Sequence, residues 1–175
     1  ICCSVIGDTE AVGICGSGLI DAVAVLLDLG KINKRGRIQD TKEVDGQRVI
    51  YLTDQVYLTQ NDIREVQMAK GAIAAGICLL ADYLDIAVDD IEHVLLAGAF
   101  GSFMNAKSAC KIGLLPKVLS DRIETVGNAS GNGAKMLACN RKELEKTDQL
   151  VSQIQFLELA QHPDFQKTFA KCMGL

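Results

Sequence analysis

The sequence predicts an α/β fold in which a central mixed sheet is flanked by helices. Segments with the spacing of strands alternate along the 175 residues with segments of helical spacing. The helical segments are long enough for right-handed crossovers between parallel strands. A hydrophobic content of 49% with only two prolines is typical of a packed core. We find no internal repeat and expect one domain over residues 1–175.

The amino-terminal part predicts a strand followed by a helix. Residues 1–6 have the composition of a strand. Gly16, Ser17 and Gly18 then open a helix, with Ser17 as the predicted cap, and Gly30 ends it.

The next segment, residues 31–58, changes to short β segments. Asp45 and Gly46 predict a tight hairpin turn, followed by a strand over residues 48–52. We interpret residues 31–58 as a β hairpin inserted into the domain.

The longest predicted helix starts after Thr59, which precedes Asp62 by three residues as in a capping box. Apolar residues then recur at alternating spacings of three and four, so they lie along one stripe. Lys70 is the one charge in this stripe. Its side chain either reaches water at the helix edge or points into a wet cleft and meets a ligand. The stripe consists of Ile63, Val66, Lys70, Ile73, Ile77, Leu80 and Leu84.

The remaining chain continues the alternation of strands and helices. A glycine-rich turn is predicted at residues 98–101, and a second glycine-rich segment at residues 127–133 starts a helix. The predicted strands are 92–97, 123–126 and 154–157, and the predicted helices are 106–112, 127–139, 142–152 and 162–172.

The glycine turn after residues 92–97 is the main candidate site. The strand is continuously apolar from residue 94, which is typical of a strand covered on both faces. Ligands of open α/β sheets bind beyond the carboxyl ends of strands. Gly98 and Gly101, with Ala99 and Phe100 between them, would let backbone N–H groups approach such a ligand. The alternative is a tight turn that needs glycine only for its backbone.

Two further glycine pairs stand at predicted helix starts, where free N–H groups and the helix dipole favour an anion. They are Gly16 and Gly18 around Ser17, and Gly131 and Gly133. The alternative for each is a structural turn. The sequence contains neither G-x-G-x-x-G nor G-x-x-x-x-G-K-[ST], which disfavours a Rossmann oxidoreductase and a P-loop NTPase.

Composition excludes several classes of partner and site. The net charge of −4, without a long basic block, argues against nucleic acid. Asp21 and Asp28 interrupt the most apolar segment, so we expect no membrane span. The seven cysteines include no C-x-x-C pair, which favours reduced thiols and a cytoplasmic location. Cys2, Cys3 and Cys15 leave a cluster or a disulfide open as alternatives.

No catalytic or metal-binding residue is expected from the sequence. His93 and His162 have no nucleophile at a recognisable spacing. The chain starts at Ile1 within a strand-like run and without an initiator Met, which predicts a fragment of a longer protein.

Four motifs resemble the carboxy-terminal domain of the reductive activators of corrinoid-dependent enzymes, which are ferredoxin-fused ATPases. These activators belong to the actin-like superfamily, with acetate and sugar kinases, heat-shock chaperones and actin. The resemblance covers essentially the whole chain. The motifs are GICGSGLID at residues 13–21, IREVQMAKGAI at 63–73, LLAGAFG at 95–101 and IGLLP at 112–116.

The resemblance implies a ribonuclease H-like lobe of an actin-like ATPase. It implies that residues 98–101 form the adenosine motif, with the long helix and the turn from Gly131 to Gly133 closing over the purine. Our own hypothesis adds that Lys70 faces the nucleotide. The superfamily usually has two consecutive glycines in the adenosine motif. Ala99 stands in place of the second.

Cofactors and partners are also implied by the resemblance. The intact parent would bind ATP and Mg²⁺, and an upstream ferredoxin domain would hold an iron–sulfur cluster. The phosphate motifs and the first ATPase lobe would also lie upstream, so this chain alone would not hydrolyse ATP. In the family, ATP drives a conformational step that lets the ferredoxin domain reduce an inactive cobalt corrinoid on a partner protein. A homodimer is a further expectation.

Two other functions remain open at this point. The chain could be an interaction module that docks a corrinoid protein or a second copy through residues 31–58 without binding nucleotide. A sugar or acetate kinase lobe is disfavoured, because no pattern of sugar-binding carboxylates is recognisable.

Overall fold

The computed structural model describes residues 3–175. The helices are α1 (Gly16–Asp28), α2 (Gln60–Tyr83), α3 (Gly98–Phe103), α4 (Ala106–Lys111), α5 (Ala129–Cys139), α6 (Arg141–Gln153) and α7 (Phe165–Cys172). The strands are β1 (Glu43–Val44), β2 (Gln47–Tyr51), β3 (Tyr57–Thr59), β4 (Val94–Ala97) and β5 (Ile123–Gly127). Short 3₁₀ segments lie at Val88–Asp90, Lys117–Arg122 and Leu159–Gln161.

The strands confirm the α/β class and divide into two sheets. β1, β2 and β3 form an antiparallel sheet, while β4 and β5 form a separate parallel pair. Asp45 and Gly46 join β1 to β2 with φ of +50° and +73°, which confirms the predicted hairpin turn. Helices α3 and α4 lie in the crossover from β4 to β5.

Two predicted strands are absent from the described part of the chain. Residues 3–6 and 154–157 contain no strand, and residues 1 and 2 of the first prediction lie outside the described residues. Ile6, Ile154 and Phe156 are 84%, 72% and 84% exposed. Apolar side chains favour a strand only where a neighbouring strand supplies hydrogen bonds and a packed face, and within residues 3–175 neither segment has one.

Helix α1 is capped by Cys15 and not by Ser17, so that prediction is wrong by two residues. The Cys15 Sγ accepts a hydrogen bond from the Gly18 N–H at 3.4 Å, and the helix begins at Gly16. The thiol takes the position that a hydroxyl usually occupies at a cap. Gly30, with φ of +65°, follows the end of the helix as expected.

Helix α2 begins with the predicted capping box. The Asp62 N–H donates to Thr59 Oγ1 at 3.1 Å, and the Thr59 N–H donates to Asp62 Oδ2 at 2.7 Å. Two backbone donors at the start of the longest helix are therefore satisfied by side chains.

The predicted apolar stripe is buried in the first half of α2, and of its later members only Ile77 packs against the core. Ile63 and Val66 are buried, but Ile73, Leu80 and Leu84 are 48%, 45% and 62% exposed. The second half turns a different face inward, where small residues let α7 and the 3₁₀ segment before it approach closely. The buried residues of that face are Gly71, Ala74, Ala75, Gly76 and Leu79.

Residues 31–58 are part of the main core. They contribute Ile32, Ile38, Ile50 and Leu58 to the same buried cluster as α1, the first half of α2, and α4. The Gln60 side chain fastens the loop before the hairpin, since it accepts from the Ile38 N–H at 2.9 Å and donates to a carbonyl in the preceding turn. The hairpin is therefore integral to the packing of the chain.

Replacing Thr59 with Ala should destabilise the protein by about 1 kcal/mol, because it leaves the Asp62 N–H without its side-chain acceptor. Urea unfolding measures the change. Thr41→Ala, at an exposed loop position, is the matched control and should change stability by less than about 0.5 kcal/mol. Equal stabilities for the two variants would contradict a stabilising role for the Thr59 cap.

Candidate functional site

The carboxyl ends of β4 and β5 lie side by side, because Ala97 pairs with Gly127. A glycine with positive φ ends or follows each strand: Gly98 at +84° and Gly127 at +65°. Helix α3 starts at Gly98, and α5 starts at Ala129. A Cβ placed on either glycine would meet no atom within 4 Å. The edge is therefore open, and backbone lines it.

The predicted glycine turn is the first turn of helix α3. Ala97 is its N-cap and supplies no side-chain acceptor, so none of the first N–H groups is capped by that side chain. Gly101 has a packing role: a Cβ there would lie 3.2 Å from the Leu96 carbonyl carbon. Gly98 adopts the positive φ that favours glycine, and Ala99 is exposed. Of the four predicted residues, Ala99 and Phe100 are thus exposed, Gly98 is partly exposed and Gly101 is buried.

The start of α1 lies against helix α3. A Cβ on Gly16 would be 2.8 Å from Phe100 Cε2, so only glycine leaves room for the ring in this position. Phe100 is still 48% exposed. The Ser17 hydroxyl hydrogen-bonds the Cys15 thiol at 3.5 Å, and this bond is the main cause that lowers the pKa of Cys15, followed by the Gly18 N–H. Two of the predicted glycine groups are therefore neighbours.

One backbone N–H group at the start of α5 is already bonded to the side chain of the helix's own N-cap. Asn128 Oδ1 accepts from the Gly131 N–H at 2.9 Å, and a Cβ at Gly131 would lie 2.5 Å from the Asn128 side chain. Gly131 thus permits the cap, and its N–H is occupied. Gly133 faces open space.

Lys70 does not reach water at the helix edge, which was the first of its two predicted alternatives. Its ammonium donates to the Gly174 carbonyl, and the residue is 2% exposed. Burial lowers the pKa of Lys70, and the nearby Cys172 opposes this in part. A Cβ at Gly113 would lie 3.2 Å from Lys70 Nζ, so the missing side chain gives the ammonium its space. Contact of Lys70 with a nucleotide stays a prediction.

Two cavities lie beside α1, and the predicted site residue Gly18 lines the larger of them. The larger, about 640 Å³, lies between residues 3–15, α1 and the loop after β2, and Cys3 and Cys15 line it. Asp21 also lines it, and its Oδ1 is buried without a hydrogen-bond partner in the described chain. The smaller, about 340 Å³, reaches Asp62 at the start of α2. The sequence signals for the larger cavity were Gly18, the cysteines Cys3 and Cys15, and an aspartate within the apolar run of α1.

Residues 3–175 contain neither a cluster of metal ligands nor a membrane-crossing helix. No three His, Cys, Asp or Glu side chains in that range come together as metal ligands would. No helix there combines the length and apolarity needed to cross a bilayer.

Two helices start at the carboxyl edge of the parallel strand pair, which is where ligands bind in open α/β sheets. The family model described as the C-terminal domain of RACo, the ASKHA domain, matches residues 1–175. The chain belongs to this family, and the predicted relation to reductive activators and the predicted fold are confirmed.

Two curated relatives and one solved structure are similar to the chain. Corrinoid activation enzyme RamQ of Eubacterium limosum is 34% identical over 187 residues, covering 95% of this chain and 32% of the relative. The [Co(II) methylated amine-specific corrinoid protein] reductase of Methanosarcina barkeri is 30% identical over 145 residues, covering 83% and 25%. The structure of a reductive activator for corrinoid, iron-sulfur protein aligns with a TM-score of 0.85 at 32% identity, covering 97% of this chain and 29% of that one. The chain thus spans a third or less of each.

Gly98→Ala should destabilise the protein by about 1–2 kcal/mol, because an L side chain at positive φ is strained. Gly133→Ala is the matched control. A methyl group at Gly133 would also meet no atom within 4 Å, but this residue lies inside helix α5. This variant should be neutral or stabilising by about 0.5–1 kcal/mol. Chemical unfolding measures the stability of both variants. A smaller loss of stability for Gly98→Ala than for Gly133→Ala would contradict the positive φ of Gly98.

Lys70 should make stability depend on alkaline pH. The pKa of Lys70 is lower in the folded than in the unfolded protein. At any pH between the lowered pKa and the ordinary pKa near 10.4, the unfolded protein therefore holds more protons on Lys70 than the folded protein does. Stability must therefore rise with pH in this window, and Lys70→Met should remove the rise.

Urea titrations of both proteins between pH 7 and about 10.4 measure this. They are best done with Cys172→Ser in each, since Cys172 interacts electrostatically with Lys70. A difference in stability that does not change with pH would contradict a lowered pKa.

Proposed function

We propose that this chain is the nucleotide-binding lobe of an ATP-dependent reductive activator of a corrinoid protein. The observation that carries the proposal is the open edge where Gly98 and Gly127 stand side by side and two helices begin. The family is described as an ASKHA domain, and both curated relatives are named for acting on corrinoid proteins.

The adenosine would lie over this edge. The half-exposed ring of Phe100 offers an apolar surface to a purine, and Gly133 leaves space on the side of α5. Gly16 supports the site indirectly, because its missing side chain seats the Phe100 ring. Gly131 does so through the Asn128 cap.

The remaining parts of the activity are proposals for the longer protein. Mg²⁺ and the phosphates would be held mainly by an upstream lobe, and electrons would come from an upstream iron–sulfur domain. Hydrolysis is not proposed for these 175 residues alone. Lys70 could reach a nucleotide only after the Gly174 carbonyl has left its ammonium.

Ala99 provides the sharpest test, because it is exposed on the first turn of α3. Ala99→Leu should weaken ATP binding to the full-length protein by about tenfold or more, since the larger side chain stands where the nucleotide would approach. Ala99→Gly should bind at least as tightly as the parent. Isothermal titration measures both.

The matched control is Ala160→Leu, which adds the same atoms at an exposed position of the 3₁₀ segment Leu159–Gln161. It should leave ATP binding unchanged. Full-length protein that binds no ATP, or equal affinities for the two leucine variants, would rule out the proposed site.

An interaction module remains a second candidate, and one observation favours it. The described chain leaves large apolar side chains uncovered, including Phe103 at 77% and Phe156 at 84% exposure. On the hairpin, the expected docking element, Tyr51 is 39% exposed and lies 5.4 Å from the Lys42 ammonium.

Deleting residues 31–58 would not test docking, because it would remove buried core residues. The double variant Lys42→Ala, Tyr51→Ala keeps that core. If it loses capture of the corrinoid partner while the parent binds no ATP, the interaction module is the better account. Retained capture together with ATP binding by the parent supports the nucleotide lobe.

A further inference from the structure

Residues 173–175, named the tail, follow helix α7 and lie across α2. Gly71 of α2 allows a close approach, since a Cβ there would lie 3.3 Å from Met173 Cγ. The Leu175 N–H donates to the Lys34 carbonyl at 3.0 Å, and the Leu175 side chain packs against the main core. The tail is therefore held by α2 on one side and by the loop before the hairpin on the other.

Two polar side chains of α2 lie beneath the tail. The Gln67 amide donates to the Met173 carbonyl at 3.0 Å, and the Lys70 ammonium donates to the Gly174 carbonyl. Gln67 and Lys70 have i, i+3 spacing, so they share one face of the helix. Both are buried, whereas Gly174 is exposed. The tail thus separates two buried donors from the solvent.

The charge of Lys70 is not matched by a carboxylate within residues 3–175. None of the ion pairs in that range includes Lys70, and its hydrogen bond ends on a neutral carbonyl. Buried ammonium groups are normally paired with an anion, because burial without one is costly. The tail therefore supplies an acceptor but not the negative charge that this position favours.

Two glycines from separate loops flank the two donors. A Cβ at Gly113 would lie 3.2 Å from Lys70 Nζ and 4.0 Å from the Gly174 oxygen. A Cβ at Gly36 would overlap the Gln67 carboxamide. Both glycines have positive φ, at +73° and +76° respectively. The loops approach the donors without side chains at these points, which leaves room for the oxygens of a ligand once the tail has left.

We propose that Lys70 and Gln67 are the donors of an oxyanion site of the phosphate class, and that the tail occupies this site as an exchangeable plug. A phosphate group brings the negative charge that the Gly174 carbonyl lacks, and opposite charges attract more strongly in a partly buried site than in water. Its oxygens can accept from both donors in place of the two tail carbonyls. The inference does not require a nucleotide at the edge of β4 and β5.

The tail can leave because α7 depends on its contact with α2. α7 has eight residues, too few for a stable isolated helix, and such segments open locally at less cost than global unfolding. Hydration of the Lys70 ammonium offsets part of the cost of opening. An oxyanion that binds only the open form shifts the equilibrium toward that form by mass action.

Hydrogen exchange in the full-length protein tests the plug. Saturating inorganic phosphate should speed amide exchange of residues 173–175 by about threefold or more, while sodium chloride of equal ionic strength should not. Exchange in α1 should stay the same and serves as the check on the fold. Lys70→Met removes the charge and keeps a long side chain, so its tail should not respond to phosphate. No effect of phosphate on the parent, or an equal effect on Lys70→Met, would overturn the proposal.

Isothermal titration with phosphate tests the competition. Leu175→Ser removes the apolar anchor of the tail and should raise phosphate affinity by about tenfold. Leu157→Ser, at another half-buried leucine, is the matched control and should bind phosphate as the parent does. Equal phosphate affinities for the two serine variants would contradict the plug.

The Ala99→Leu variant separates this site from the proposed nucleotide site. Its ATP binding should fall, while its tail should still respond to phosphate. A tail response to ATP as well would show that the phosphates of a nucleotide can fill the site, and a response to phosphate alone would show a site for the free ion. Loss of the phosphate response in this variant would overturn a separate oxyanion site. A parent that binds no ATP but keeps the response would refute only the proposed function.

Discussion

The parallel pairing of β4 with β5 determines which helix starts can share a ligand. Its irregular register, shifted between Leu96 and Ala97, brings Ala97 opposite Gly127. Two glycines with positive φ then turn the chain into helices on the same edge. A regular register would place Val126 opposite Ala97 and move the start of α5 along the edge by one residue. The openness of the site therefore depends on this bulge as much as on the glycines.

Glycine has a different physical role at each position of the site. Gly98 supplies a backbone conformation, Gly101 allows the helix to pack on Leu96, and Gly16 makes room for Phe100. These roles explain a glycine-rich edge without any bound molecule, but they also leave its surface free of side chains. The proposed nucleotide-binding lobe would need that free surface, and the chain belongs to the family described as an ASKHA domain.

Features encoded within a few residues could be predicted from the sequence. The Thr59–Asp62 capping box and the Asp45–Gly46 turn each depend on local geometry. Features that depend on distant partners could not. The partner of Lys70 is Gly174, which lies 104 residues away, and α7 decides which face of α2 is buried. The segment 154–157 has the composition of a strand and lacks a neighbour to pair with in the described chain.

The central claim is that nucleotide binds at the carboxyl edge of β4 and β5 and not in the 640 Å³ cavity beside α1. Photo-crosslinking with an azido-adenine analogue of ATP, followed by peptide mapping of the full-length protein, tests it most directly. The account predicts labelled peptides from α3 and from the start of α5, with labelling prevented by excess ATP. Competed labelling confined to residues 3–25 or 52–56 would contradict it.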